Sequence, residues 1–164
     1  VKDPDLGIRE MADQWAARRP GVDARPMALF GRLSRADTLA NAAMTATLRV
    51  HGLNRGEFDV LATLYRSGEE LSAGALASSL LLSPAATTNR VDRLEAAGLL
   101  VRVPDPADGR GVLLRLLDRG RRLVEEAVED HVRGLQTLLD GLSEEEREQL
   151  SRLLARLLRS MAAG

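Results

Sequence analysis

The sequence predicts a mainly α chain with one small antiparallel strand pair (α+β), and three observations point to it. Apolar residues recur at spacings of three and four over most of the 164 residues. Only four residues are aromatic, one Trp, one Tyr and two Phe, so Leu, Ala and Val must build the core, which suits helices packed on helices. The exception to helical spacing is 99–117, where two short apolar runs flank a turn rich in Pro and Asp. At 45% apolar residues the chain has enough material for a sizeable core.

Residues 5–18 carry Ile8, Met11, Ala12 and Trp15 at helical spacing, and Pro20-Gly21 ends that helix. A linker through Pro26 leads to a long helix over 27–50, with Leu29, Phe30, Leu33, Ala36, Ala40, Ala43, Thr47 and Leu48 on one broad stripe. It stops at His51-Gly52. Asn54 and Glu57 form a capping box, in which each side chain satisfies the other's orphan amide. The next helix runs to Arg66 with Phe58, Leu61, Ala62 and Tyr65 inward, and Gly68 breaks it.

Ser72 caps a short helix to Ser79, and Leu80-Leu81-Leu82 makes the tight turn after it. Ser83-Pro84 starts a helix over 84–97, because Ser accepts free amides and Pro at the first position loses no hydrogen bond. Thr87, Val91 and Leu94 face inward; Ala85, Thr88, Asn89, Asp92 and Ala96 face outward; Gly98 supplies the left-handed stop. Strands over 99–103 and 111–117 enclose the turn Asp105-Pro106-Ala107-Asp108-Gly109-Arg110, which has the length of a wing. Asp118 is the expected cap of a helix over 118–139. Ser143 with Glu146 is a second capping box, opening a helix with Leu150, Leu153, Leu154, Leu157, Leu158 and Met161 on one stripe.

Two helices, a glycine stop and a strand pair in that order make a winged helix-turn-helix, here flanked by long N- and C-terminal helices. The division expected is an extension helix and linker at 1–25, a dimerisation helix at 26–52, a DNA-binding unit at 53–117 and C-terminal dimerisation helices at 118–164. The last leucine stripe is broader than one partner helix needs. It is either satisfied within the chain or shared between two subunits, and the second reading is favoured.

The net charge of -1 hides a gradient. Residues 1–82 are balanced, 83–122 carry eight Arg against five acids, and 123–164 carry five basic against nine acidic groups. A basic patch on a neutral or acidic body is the footprint of local phosphate contact. With no Cys, a disulfide framework, a zinc-thiolate site and a thiol switch are excluded. The sequence also lacks a Gly-rich phosphate loop, a nucleophile paired with His, and clustered metal ligands; His51 and His131 stand apart. No enzyme, cofactor, metal or membrane partner is expected, and the expected location is cytoplasmic.

The outward face of the 84–97 helix is small, which lets its backbone approach base edges. Ala and Thr methyls suit thymine, Asn89 suits adenine, and Arg90 and Arg93 suit phosphate or guanine. In the wing, Asp108 can accept from Arg110 and hold it extended toward a narrow minor groove. The candidate DNA contacts are Ser83, Ala85, Thr87, Thr88, Asn89, Arg90, Arg93, Asp108 and Arg110.

The run from Thr88 through Glu95, then Gly98-Leu99-Leu100, then Asp105-Pro106 with Asp108-Gly109-Arg110-Gly111-Val112, resembles the recognition helix and wing of the MarR family of bacterial transcription regulators. The resemblance extends from about Pro26 to the C-terminus. It implies a homodimer whose terminal helices interlock and whose two winged modules read a palindromic site in double-stranded DNA, with repression by steric exclusion as the default. A helix of about 22 residues is ~33 Å long, close to the ~34 Å between half-sites. Two departures stand out: Gly109 where the family often has a basic residue, and Leu117 in place of the usual Thr before the long helix.

The added N-terminal helix, with Asp23-Ala24-Arg25-Pro26-Met27 and Gly31-Arg32-Leu33, resembles the urate-responsive, PecS-like subgroup. That resemblance implies ligand roles for Trp15, Asp59, Arg90 and Arg102, and an effector that is urate, a related purine or a phenolic anion. Trp offers a flat face, Arg pairs with an anion, and Asp59 could hold an Arg until the ligand displaces it. A plainer reading stands beside it: Trp15 staples the added helix to the dimer body, and Asp59 with Arg102 is a structural ion pair. The loop 67–70 is about two residues shorter than usual for the subgroup. For the whole chain the alternative is a winged-helix interaction scaffold without specific DNA contact, which would lack the steep salt dependence of duplex binding.

Overall fold

The computed structural model describes residues 3–108 and 111–163, and the chain divides into two compact units, 1–43 and 44–164. The elements in order are α1 (Leu6–Arg18), α2 (Arg25–Val50), α3 (Arg55–Ser67), β1 (Leu71–Ser72), α4 (Ala73–Leu80), α5 (Pro84–Ala96), β2 (Leu100–Pro104), β3 (Val112–Leu116), α6 (Asp118–Leu138) and α7 (Glu144–Ala162). This is the expected mainly α winged helix-turn-helix with long terminal helices. No helix among the described residues is long and apolar enough to cross a membrane.

In the first unit α1 packs on the opening turns of α2. The Asp5 carboxylate accepts from Arg32 Nε at 2.8 Å and Nη2 at 3.2 Å, and Ile8 lies over Gly31. Ala24 and Ala28 are buried, and α1 buries no residue fully. At the first residue of α2, Arg25 donates from Nε and Nη2 to the Asp23 carboxylate at 2.8 Å each, and those hydrogen bonds hold the Asp23 carboxyl down at about 2.

The second unit has one continuous apolar core. Its centre is Leu48 at the end of α2, Val60, Leu61 and Leu64 of α3, Leu76 of α4, Val91 and Leu94 of α5, Leu100 and Leu114 of the sheet, and Val124 and Ala127 of α6. Burial of such side chains contributes roughly 1.5–3 kcal/mol each and sets the angles between the helices. The Asn54–Glu57 and Ser143–Glu146 capping boxes form in full, while Ser72 and Ser83 accept from the amides of Ala75 and Ala86. Gly98 takes the left-handed conformation, φ 67°, directly after the α5 C-cap, so its lack of a Cβ ends the helix without strain.

The sheet has a third strand that the sequence reading missed. Its order is β1-β3-β2, all antiparallel, with Arg102 opposite Leu114 and Leu71 opposite the other side of Leu114. A two-residue strand is too short to show alternation and exists because β3 offers it a free edge. The start of α6 also corrects an expectation. Its N-cap is Leu117, which makes no side-chain cap bond, and Asp118 is the first helical residue. An acidic group in that first turn still meets the positive end of the helix dipole. Gly120, one turn on, sits so close to β2 that a Cβ there would lie 2.0 Å from the Leu99 carbonyl oxygen.

Polar links also tie α6 to its neighbours, among them Arg119 Nη1 donating to the Ala97 carbonyl at 3.1 Å. Tyr65 donates its hydroxyl to Glu125 Oε1 at 3.0 Å, and that bond pushes the phenol pKa up; His51 Nε2 lies 2.9 Å from Asp130 Oδ2. Val128, Val132 and Leu138 of α6, its C-cap Leu139, and Leu150, Leu153, Leu158 and Met161 of α7 are exposed, and α7 buries nothing fully.

Candidate nucleic-acid interface

The helix α5 presents the face expected of it. Ser83, Ala85, Thr88, Asn89, Asp92, Arg93 and Ala96 are exposed, while Val91 and Leu94 are buried. Thr87 is the exception among the proposed contacts. It is 1% exposed and its hydroxyl donates to the Ser83 carbonyl at 3.2 Å, so it belongs to the core side of α5 and cannot reach a base without unpacking the helix. Thr88 is exposed and uses its hydroxyl hydrogen on the Pro84 carbonyl at 3.0 Å.

The flanking arginines differ. Arg93 is exposed, with Nε 3.6 Å from Glu57 Oε1 at the first turn of α3. Arg90 is half-buried and folds back onto α3, where a Cβ on Gly56 would meet its Cζ at 2.5 Å. Gly56 is therefore the seat of Arg90. Nothing in the local sequence of α3 signals this, because the two residues are brought together only by the packing of α5 on α3.

The wing is shaped by its acids. Asp105 donates its amide to the Gly111 carbonyl at 2.9 Å, its carboxylate accepts from the Ala107 amide at 2.8 Å, and Gly111 donates to the Asp108 carbonyl at 2.8 Å. A Cβ on Gly111 would lie 2.8 Å from Asp105 Cβ, so glycine lets the turn close. Gly109 and Arg110 lie outside the described residues, and so does the expected Asp108–Arg110 contact.

Arg102 of β2 is held by two acids of α5. Its Nη2 lies 2.6 Å from Asp92 Oδ1, its Nη1 pairs with Glu95, and its backbone amide donates to Glu95 Oε1 at 3.0 Å. These partners, Asp92 first, raise its pKa further above the ordinary arginine value. The structural alternative of an Asp59–Arg102 pair is thereby replaced: the guanidinium is bound to α5. Asp59 is half-buried on α3, and no ion pair joins it to Arg90 or Arg102 among the described residues. Trp15 belongs to the first unit, on α1, and is 40% exposed. No group of His, Cys, Asp or Glu among the described residues could hold a metal ion.

Comparison with known proteins agrees with this architecture. A model of the MarR family matches residues 51–111. The regulator PecS of Dickeya dadantii is 37% identical over 154 residues, covering 93% of this chain and 93% of PecS. Among solved structures, a mutant Escherichia coli MarR complexed with operator DNA has a TM-score of 0.73 at 26% identity, covering 82% of this chain and 97% of that one. Bordetella bronchiseptica BpsR, whose DNA binding is regulated by 6-hydroxynicotinic acid, has a TM-score of 0.68 at 32% identity, covering 76% and 89%. With the wing, the small-faced helix and these likenesses together, the chain belongs to the MarR family of helix-turn-helix transcription regulators and resembles PecS over nearly its whole length.

Proposed function

We propose that this protein is a homodimeric repressor that reads a palindromic operator and is released from it by a small anionic or aromatic ligand. The observation that carries the DNA reading is the exposed face of α5, where Ala85, Thr88 and Asn89 form a low strip bordered by Arg93 and followed by the Asp105-shaped wing. A low strip admits the helix into the major groove, and the wing then meets the flanking backbone. Dimerisation is supported by the uncovered apolar faces of α6 and α7, whose leucines are too many for solvent exposure in a stable monomer.

The ligand reading rests on the likeness to PecS through the added helix that carries Trp15, and on Arg90, a guanidinium with no charged partner among the described residues. A flat indole suits the ring of urate or a related purine, and a guanidinium suits its negative charge. The mechanism first expected, an arginine waiting on Asp59, finds no ion pair to start from. Selection of bound duplexes from a random pool tests the DNA reading. An enriched palindrome whose binding falls steeply with salt supports it, and absence of enrichment refutes it. Urate titration of that complex, followed by Trp15 fluorescence and DNA release, tests the effector; silence in both signals removes it.

A further inference from the structure

Asp92 lies one turn beyond Thr88 and Asn89 on the exposed face of α5, with its side chain 54% exposed. Glu95 follows three residues later, half-buried. A helix that must approach two rows of phosphates thus carries two carboxylates on or beside its approach face. Like charge at that distance opposes association, and the opposition is strongest at low salt. Both acids are held by a single group, the Arg102 guanidinium, which comes from a different element and gains a third anchor through its own backbone amide on Glu95.

We infer that Arg102 masks the negative charge of α5, keeping Asp92 and Glu95 turned toward β2 and away from the DNA backbone. The inference rests on α5 being the helix that faces DNA. Arg102 is in this sense a positioning residue: it need not touch the duplex, and its effect passes through two other side chains. Its planar fork suits the task, because it offers separate N–H groups to two carboxylates at once, as a lysine ammonium does less well. The masking also gives the proposed effector a route. An anion that takes the Arg102 guanidinium frees Asp92 toward the duplex and leaves Glu95 uncompensated on the Arg102 amide, so binding weakens through charge alone, with no helix having to move. Binding of that anion and of DNA then oppose each other by equal factors.

The test uses the full chain and the duplex it selects from a random pool. Arg102→Ala is expected to weaken duplex binding about tenfold near 0.1 M salt, and the loss shrinks as salt rises. Adding Asp92→Asn and Glu95→Gln to Arg102→Ala restores affinity to within about threefold of the parent. Arg102→Lys, which keeps the charge but loses the fork, falls between Arg102→Ala and the parent and can be assayed even if Arg102→Ala proves too unstable, and Asp92→Asn with Glu95→Gln beside an intact Arg102 binds at least as tightly as the parent. A triple variant as weak as Arg102→Ala, with a native circular dichroism spectrum, overturns the masking role. So does tight-binding loss in the Asp92→Asn, Glu95→Gln pair alone. A parent chain that enriches no duplex refutes the DNA reading itself, which is a different and recognisable result.

Discussion

The guanidinium of Arg90 rests on Gly56, where an added Cβ would fall 2.5 Å from Cζ and 2.7 Å from Nε. The clash is with the movable end of a long side chain, so it costs little fold energy to resolve. Gly56→Ala is expected to leave stability unchanged or raised by up to about 1 kcal/mol, since Ala is the better helix former, while driving Arg90 off α3. Urea unfolding checks this, and a loss above about 2 kcal/mol would show the seat to be rigid.

Leu81 is strained twice over. It is 94% exposed and its φ of 52° is a left-handed conformation that suits glycine. Leu81→Gly should stabilise the chain by about 1 kcal/mol, visible as a higher unfolding midpoint. A drop in midpoint would mean that the leucine has a cover unseen in the single chain.

Gly120 behaves in the opposite way to an ordinary helical glycine. Alanine would place its Cβ 2.0 Å from the Leu99 carbonyl oxygen, and that obstacle is backbone. Gly120→Ala is therefore expected to destabilise by roughly 3 kcal/mol, overriding the helix propensity gained. Thermal unfolding within a few degrees of the parent would contradict the close approach of α6 to β2.

Asp23 supplies a pH signature. Hydrogen bonds from Arg25 lower its carboxyl pKa from 3.8 to about 2. A depressed folded-state pKa contributes stability above the unfolded value and loses it as pH falls, so this contact fades between about pH 4 and 2. A carboxyl carbon titration should show an Asp23 midpoint near 2, moving up toward 3.8 in Arg25→Ala. A normal midpoint in the parent would mean the pair is open in solution.

Much of the fold was legible because its signals are local. Asn54 with Glu57, Ser143 with Glu146, Ser72, Ser83 and Gly98 each act on amides or dihedrals within four residues, so their effects are written in short stretches of sequence. The outward strip of α5 followed from helical spacing for the same reason. The misses have a common cause too. β1 depends on the edge of β3 some forty residues on, Arg102 finds its partners across an interface between strand and helix, and Thr87 was counted as a contact although its own spacing put it inside.

Periodicity and caps, then, determined which segments are helices, where they begin and stop, and that one small-faced helix is followed by a wing. Only the tertiary structure decided which charges meet: that Arg90 turns back onto Gly56, that Arg102 holds Asp92 and Glu95, and that Asp59 holds neither arginine. Helical order comes from bonds between near neighbours in the chain, whereas a long side chain chooses among distant partners, and that choice is made by the packing that brings one of them within reach.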